Sequence, residues 1–447
     1  MLSEIFKAYD VRGVYGETIT EEVAYKIGKA FVHFLKAKKI VVGTDMRISS
    51  PSLSKAFMHG ANDMGCDVVF IGQVCTDAVY FASGYLNLPG VMFTASHNPK
   101  KYNGIKFCRE NAVPMNEDTG LMAIKSIIEN DDYNVKIRNK GKIIKKEILK
   151  KYVNHVKSFI DVKKLSKLKI AADAGNGMAG KIVPMVYKNL NIKIVPLYFN
   201  LDGNFPNHPA DPSKYENLVQ LQETIKKNKC DFGIAFDGDA DRIFFVDGKG
   251  DVINSSLISA LIIKNLLKKT PKQKIIYNLV CSKIVPETIK KYGGVPILER
   301  VGHSFIKDTM RKTKALFACE HSAHYYYRDN YRADSGIITS LIVAEIVSKE
   351  KKTLSELLEE FKVYHKIEET NVEVQDKNAK MDEIENIYKK QNPKRTSRLD
   401  GVTVEFGVWW FNIRPSNTEH LLRLNLEANT EKMMEEKKKE LLILIRK

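Results

Sequence analysis
Two short stretches carry residue types that suit group transfer. Ser96 stands in Thr94-Ala95-Ser96-His97-Asn98-Pro99, directly after the apolar run Val91–Phe93. The run reads as a short buried strand, and Asn-Pro marks a turn. A serine at the end of a core strand is held rigidly yet reaches solvent, which suits a group that carries a reacting fragment. Tyr102-Asn103-Gly104 is expected to bend the chain again and to return Lys106 to the neighbourhood of Ser96. The second stretch is Asp237-Gly238-Asp239-Ala240-Asp241-Arg242, after the apolar Phe232–Phe236. Three carboxylates at alternate positions can converge on one hard cation, and oxygen-only ligation suits Mg²⁺. Packed this close they repel unless something neutralises them, so a bare acidic turn is the poorer reading. An EF-hand is excluded, because Arg242 and Gly248 occupy the positions where that loop needs Gly and Glu.

Two further loops suit anions or hydroxyls. Arg414-Pro415-Ser416-Asn417-Thr418 offers a guanidinium, two hydroxyls, an amide and turn N–H groups, the donors a phosphate monoester needs. Glu320-His321-Ser322-Ala323-His324 offers a carboxylate and a hydroxyl for vicinal sugar hydroxyls. His303 follows a glycine on the approach to a helix and is a candidate proton carrier, and Arg12 sits on a Gly-bounded turn after Tyr9 and Asp10. Gly175-Asn176-Gly177-Met178-Ala179-Gly180 fits the dinucleotide fingerprint, with Asp202 further on. Nothing else supplies a nicotinamide or flavin site and Pro196 is expected to interrupt the next strand, so a tight strand-to-helix turn is the preferred reading.

These loops need strands to hold them. Lys39–Val42, Lys169–Ala172 and Ile275–Tyr277 are short apolar runs that end on small or polar residues ahead of helix-compatible segments. They predict three consecutive α/β domains of similar plan with mixed, mostly parallel sheets. Seams fall near Lys142–Lys151, Asp247–Asp251 and Val363–Glu369, and Asp247-Gly248-Lys249-Gly250 reads as a hairpin turn. After Glu369 the pattern changes to strands at Thr370–Val374, Val402–Val408 and Leu421–Leu426, with helices at Met381–Lys390 and Thr430–Arg446. That is a smaller α+β domain. The expected boundaries are 1–150, 151–250, 251–366 and 367–447.

The chain has 447 residues, 44% hydrophobic and 28% charged, an ordinary globular composition. The apolar stretch Leu257–Leu267 is broken by Lys264 and Asn265, so no membrane span is expected, and the N-terminus has no secretory pattern. Six cysteines form neither CxxC pairs nor zinc spacing and read as reduced thiols of a cytoplasmic protein. The net charge of +17 is spread in Lys-Lys pairs rather than one aromatic-interleaved stripe, so solvated lysines are favoured over a nucleic-acid groove. The charge still favours small phosphorylated anions.

Taken together, Tyr9 to Thr418 resembles the α-D-phosphohexomutase family, most closely its phosphomannomutase/phosphoglucomutase branch. TASHNP is similar to the family's phosphoserine loop, which implies a phosphorylated Ser96. Asp237, Asp239 and Asp241 match its Mg²⁺ site, shared with Ser96, and Arg242 lies beside it. Glu320, Ser322 and His324 match its sugar-recognition loop, and Arg414, Ser416, Asn417 and Thr418 its phosphate-binding loop. Tyr9, Arg12, Lys106 and His303 match further active-site positions, the last two as general acid/base candidates. The resemblance also implies four domains around a central cleft and a hexose 1,6-bisphosphate intermediate. It implies hexose phosphates as the small-molecule partners, and leaves a monomer or a dimer open. Cys319 and Ala323 replace two glycines of the family's sugar loop, and His420 replaces a proline. These departures touch the choice of sugar, so mannose, glucose and, as the alternative, glucosamine phosphates stay in view. A non-catalytic sugar-phosphate binder is the rival from another class.

Overall fold
The computed structural model describes residues 2–133, 138–416 and 421–446. The chain forms two compact units: Met1–Ser255 with Lys307–Ala318 and Ser322–Leu357, and Ser256–Ile306 with Cys319–His321 and Leu358–Lys447. Three α/β regions with mixed sheets precede a C-terminal antiparallel domain.

In the first unit, the strands Gly90–Phe93, Lys39–Thr44, Asp67–Gln73 and Ile143–Lys145 lie parallel in that order. Tyr102–Arg109 joins antiparallel to Gly90–Phe93, and Val11–Val14 pairs antiparallel beyond it. The helices Glu21–Leu35 and Ser50–Asp63 cover this sheet and touch backbone to backbone. A Cβ on Gly28 would lie 2.2 Å from the Phe57 carbonyl oxygen, and one on Gly60 2.1 Å from that of Tyr25. Phe31, Phe57, Phe93 and Phe107 fill the layer beneath.

A second sheet runs Val252–Ile253, Ile243–Asp247, Phe232–Phe236, Leu168–Asp173, Ile192–Leu197. Its central pair is parallel, and the expected hairpin joins Ile243–Asp247 to Val252–Ile253. In both sheets the buried parallel strands stop at the loops of interest: Lys39–Thr44 at Asp45, Gly90–Phe93 at the Ser96 loop, Phe232–Phe236 at Asp237. Open α/β sheets collect ligand sites at these carboxyl ends.

In the second unit, Lys274–Asn278 pairs parallel with Val295–Glu299. The C-terminal sheet is antiparallel, ordered His365–Lys366, Leu421–Ala428, Trp409–Pro415, Val402–Glu405, Arg395–Ser397, with Thr370–Glu373 also on Leu421–Ala428. Helices Lys377–Lys389 and Glu431–Arg446 pack on it around Tyr388, Phe411 and Leu424.

Three local expectations are corrected. Tyr102-Asn103-Gly104 does not bend but opens the strand Tyr102–Arg109; the turn lies before it, with the Tyr102 N–H donating to the Pro99 carbonyl. The resulting hairpin sets Lys106 opposite Met92. Pro196 does not interrupt Ile192–Leu197, because that strand is at the sheet edge, where a missing N–H costs no ladder bond. The expected strand Val402–Val408 stops at Glu405, where the Phe406 N–H donates to the Trp409 carbonyl at 2.9 Å and turns the chain, and Trp409–Pro415 is a separate strand.

Candidate active site
The Ser96 loop closes on itself first. Ser96 N donates to Thr94 Oγ1 at 2.9 Å, and Ser96 itself takes a left-handed backbone, φ +50°. Such a conformation is costly for a residue with a Cβ and persists only when its surroundings enforce it. Arg47 lies against this loop, its buried guanidinium donating to four carbonyls: those of Ser96 (2.9 Å), Asn98 (2.7 Å), Pro99 (3.0 Å) and Tyr102 (2.9 Å). Arg12 grips the same loop from the other end, Nη1 donating to Asn98 Oδ1 at 2.6 Å while Nη2 pairs with Asp10.

The acidic loop meets this one at its tip. Gly238 lies so near that a Cβ would stand 2.5 Å from the Ser96 carbonyl oxygen, so only glycine fits. Gly177 approaches Gly238 in turn, at 2.7 Å from its carbonyl oxygen for an added Cβ, and Met178 N donates to that oxygen at 2.9 Å. The glycine fingerprint at Gly175–Gly180 thus serves as the expected tight turn, and it supports the acidic loop. Thr76 fixes the loop's middle, Oγ1 donating to Asp239 Oδ2 at 2.6 Å and N to the Asp239 carbonyl at 3.1 Å.

Here the predicted residues converge. Ser96 Oγ donates to Asp237 Oδ2 at 2.6 Å. Lys106 Nζ donates to Asp239 Oδ2 at 2.8 Å and Asp241 Oδ2 at 2.6 Å. Arg242 N donates to Asp237 Oδ1 at 3.2 Å, and its side chain reaches His324 Nε2 at 3.3 Å. His324 is in turn 2.9 Å from Ser322 Oγ through Nδ1 and 3.5 Å from Asp241 Oδ1. Tyr9 lies within electrostatic reach of Arg12 and Arg242. Ala323 takes φ +64°, so an alanine holds the left-handed backbone where the resembling family has glycine.

The three carboxylates are buried and each offers an oxygen within 4.8 Å of the others. Burial, Asp241 and Asp239 push the Asp237 carboxyl well up; at Asp241 burial is overcome by Lys106 and His324, and its carboxyl is held well down. Lys106 stays firmly protonated, burial being outweighed by Asp239 and Asp241. Burial, with Arg242 and Arg12, pushes the imidazole of His97 well below its ordinary value. Asp239 Oδ1 is buried with no hydrogen-bond partner among the described residues, an orphaned hard donor that a divalent cation would satisfy. An all-oxygen set fits Mg²⁺.

In the second unit Glu320 Oε1 accepts from Asn278 Nδ2 (3.2 Å) and from Gly302 N (3.1 Å), at the start of the helix His303–Thr313. His303 is the first residue of that helix. Arg414 Nη2 donates to Glu369 Oε2 at 2.9 Å, Arg423 Nη1 to Glu369 Oε1 at 3.0 Å, and Asn425 Nδ2 to Glu369 Oε2 at 2.9 Å. Ser416 N donates to the Leu421 carbonyl at 2.8 Å, and Lys377 Nζ to the Ser416 carbonyl at 2.9 Å. Asn417 and Thr418 lie outside the described residues. Arg47, Thr76, Asn98, Glu369 and Arg423 are the residues that sequence reasoning passes over. The only local signal is Asp45-Met46-Arg47, an acid and a base on a turn after a strand.

Known proteins show the same architecture. Models of the phosphoglucomutase/phosphomannomutase domains match in order: α/β/α domain I over residues 3–135, II over 150–250, III over 254–364 and the C-terminal domain over 369–443. A phosphomannomutase of Methanocaldococcus jannaschii is 39% identical over 99% of this chain and 98% of its own. One from Escherichia coli K12 is 37% identical over 98% of each. The crystal structure of a phosphoglucomutase/phosphomannomutase family protein from Burkholderia thailandensis superposes with a TM-score of 0.90 at 29% identity, covering 100% of this chain and 98% of that one. The chain belongs to the phosphoglucomutase/phosphomannomutase family, and is therefore an enzyme of the hexose-phosphate mutase class. Among the described residues no helix is long and apolar enough to cross a membrane.

Proposed function
We propose that the enzyme interconverts hexose 1-phosphate and hexose 6-phosphate, with mannose and glucose as the sugars, and that Ser96 carries the phosphoryl group. The Ser96 Oγ–Asp237 contact of 2.6 Å carries this reading, because it sets a nucleophilic oxygen on an acidic trio otherwise balanced by Lys106 and Arg242. Phosphorylated Ser96 gives its phosphoryl group to the free O1 or O6 of the substrate. The resulting hexose 1,6-bisphosphate turns over while bound, and its other phosphate returns to Ser96.

Asp237, Asp239, Asp241 and the Ser96 oxygen would hold one Mg²⁺, which supplies neutralising charge to the transferring group. Arg12, Arg242 and Lys106 offset the carboxylates around Ser96, Arg12 pairing with Asp10, Arg242 with Asp237, and Lys106 with Asp239 and Asp241. Lys106 begins protonated, which suits the acid that returns a proton to a leaving oxygen; His303 is the companion base candidate. Glu320, Ser322 and His324 select sugar hydroxyls. Arg414 and Ser416, with Asn417 and Thr418, take the phosphate that is not transferred. Domains 1–150, 151–250, 251–366 and 367–447 each contribute one of these loops. Cytoplasmic residence is part of the proposal, supported by six unpaired, buried cysteines.

Peptide mass spectrometry for one phosphate on Ser96, paired with mutase assays on mannose 1-phosphate, glucose 1-phosphate and glucosamine 6-phosphate, tests the reading. Turnover on the first two with a phosphorylated Ser96 is the expected result. Preference for the amino sugar would move the substrate assignment, and absence of turnover on all three would overturn the choice of mannose and glucose.

A further inference from the structure
We propose that Arg47 is a positioning residue for phosphoryl transfer: it holds the Ser96 loop in the strained backbone that aims the serine oxygen at the acidic trio. The inference rests on the reading of Ser96 as the phosphoryl carrier.

Four carbonyl oxygens between Ser96 and Tyr102 point at one guanidinium, each 2.7–3.0 Å from Nη1 or Nη2. Oxygens gathered this way repel one another, and a planar fork of N–H donors is the side chain that satisfies them together. Lysine has a comparable charge but a single nitrogen, and cannot span both pairs. One of the four oxygens belongs to Ser96, whose φ of +50° costs free energy unless neighbours impose it.

Arg47 is itself fixed. Its Nε lies 3.3 Å from Asp45 Oδ2, its backbone N–H donates to Asp45 Oδ1 at 2.9 Å, and Ser50 Oγ donates to the same Oδ1 at 2.6 Å. Asn103 Nδ2 ties Ser49 Oγ (2.8 Å) and Ser50 Oγ (3.0 Å) to the far side of the hairpin. A loop of the second sheet closes over it: the guanidinium carbon is 5.2 Å from the Phe205 ring centroid, and a Cβ on Gly203 would meet Arg47 Cα at 2.8 Å. The side chain is 1% exposed, so it binds no substrate; it acts through the loop. Misplacing a reacting oxygen by about 1 Å can cost on the order of 100-fold in rate.

The test compares the full-length parent with Arg47→Lys and Asp45→Asn, the latter loosening Arg47 without removing it. For each, kcat and KM for mannose 1-phosphate, single-turnover phosphorylation of Ser96 by glucose 1,6-bisphosphate, and the melting temperature are measured. We expect kcat and the Ser96 phosphorylation rate to fall together by at least about tenfold in folded Arg47→Lys, with KM within about twofold. Should Arg47→Lys fail to fold, the same split is required of Asp45→Asn. Parent-like kcat in a folded variant overturns the inference, as does a loss that vanishes at temperatures well below the variant's melting point. Ser96→Ala, run alongside, separates the two readings: if it keeps turnover, the phosphoserine assignment itself has failed.

Discussion

Arg414 and Arg423 stand directly opposite each other on neighbouring antiparallel strands, and both donate to the single carboxylate of Glu369. Like charges in that register destabilise a sheet by roughly 0.2–1 kcal/mol, so the carboxylate offsets a penalty the register creates. Burial raises the Glu369 carboxyl, but Arg414 and Arg423 outweigh it and hold it down at about 2. A depressed folded value contributes stability above the ordinary carboxylate range, and that contribution is lost as pH falls from about 4 toward 2. Glu369→Gln should therefore destabilise the C-terminal sheet by on the order of 2–3 kcal/mol at neutral pH, with the difference from the parent shrinking below about pH 4. The chain's two tryptophans, Trp409 and Trp410, lie on that sheet, so fluorescence-detected urea unfolding reads it out. Equal stability at neutral pH would show that Glu369 is dispensable there.

Arg414→Ala removes one guanidinium and leaves Glu369 paired with Arg423 and Asn425. The sheet should survive, while KM for hexose phosphates rises by about tenfold or more, since a charge-assisted hydrogen bond is worth roughly 1.5–3 kcal/mol. Steady-state kinetics with unchanged KM would argue that this loop does not take phosphate.

Ser96→Ala removes the carrier oxygen without disturbing the Arg47 clasp, which holds carbonyls rather than the side chain. Mutase activity should drop by on the order of 1,000-fold or more with the melting temperature nearly unchanged. The phosphate detected on the parent by mass spectrometry should disappear. A variant turning over at a comparable rate would end the phosphoserine assignment.

Chelation tests the acidic trio. EDTA should stop turnover and added Mg²⁺ restore it, and Asp239→Asn should raise the Mg²⁺ needed for half-maximal activity by at least about tenfold. Asp239 is an informative position because its Oδ1 is buried with no hydrogen-bond partner among the described residues. Turnover indifferent to chelator would remove the metal.

What the sequence shows and what it hides divide along contact range. Ser96, Asp237, Asp239 and Asp241 stand in compact loops after apolar runs, so residue type and local spacing point to them directly. Arg47 and Thr76 do not, because their partners are 49 and 163 residues away. Tyr102-Asn103-Gly104 misleads for the opposite reason. Asn-Gly is a strong local turn signal, yet Asn103 pairs with Gly13 in the sheet and uses its side chain to hold Ser49 and Ser50. Glu369 reads as one more acid at the end of a seam, just before the strand at Thr370, until the pairing of Arg414 with Arg423 places two arginines against it.

Asp77 supplies a pH test away from the chemistry. It is fully buried, and its Oδ2 accepts from Tyr152 Oη at 2.6 Å and from Ser335 Oγ. Burial dominates over these hydrogen bonds and raises its carboxyl to about 6. A raised folded value means that the folded protein binds the proton more tightly than the unfolded chain. Stability from this group is therefore greatest below about pH 4, falls as pH rises through 6, and is level above that, a span of up to about 3 kcal/mol. Asp77→Asn cannot titrate. Relative to the variant, the parent should gain stability as pH is lowered from about 7 to about 4.5, measured as the difference in unfolding free energy at each pH. A constant difference across that range would mean that Asp77 keeps an ordinary carboxylate pKa, and that Tyr152 and Ser335 suffice to hold it charged in the core.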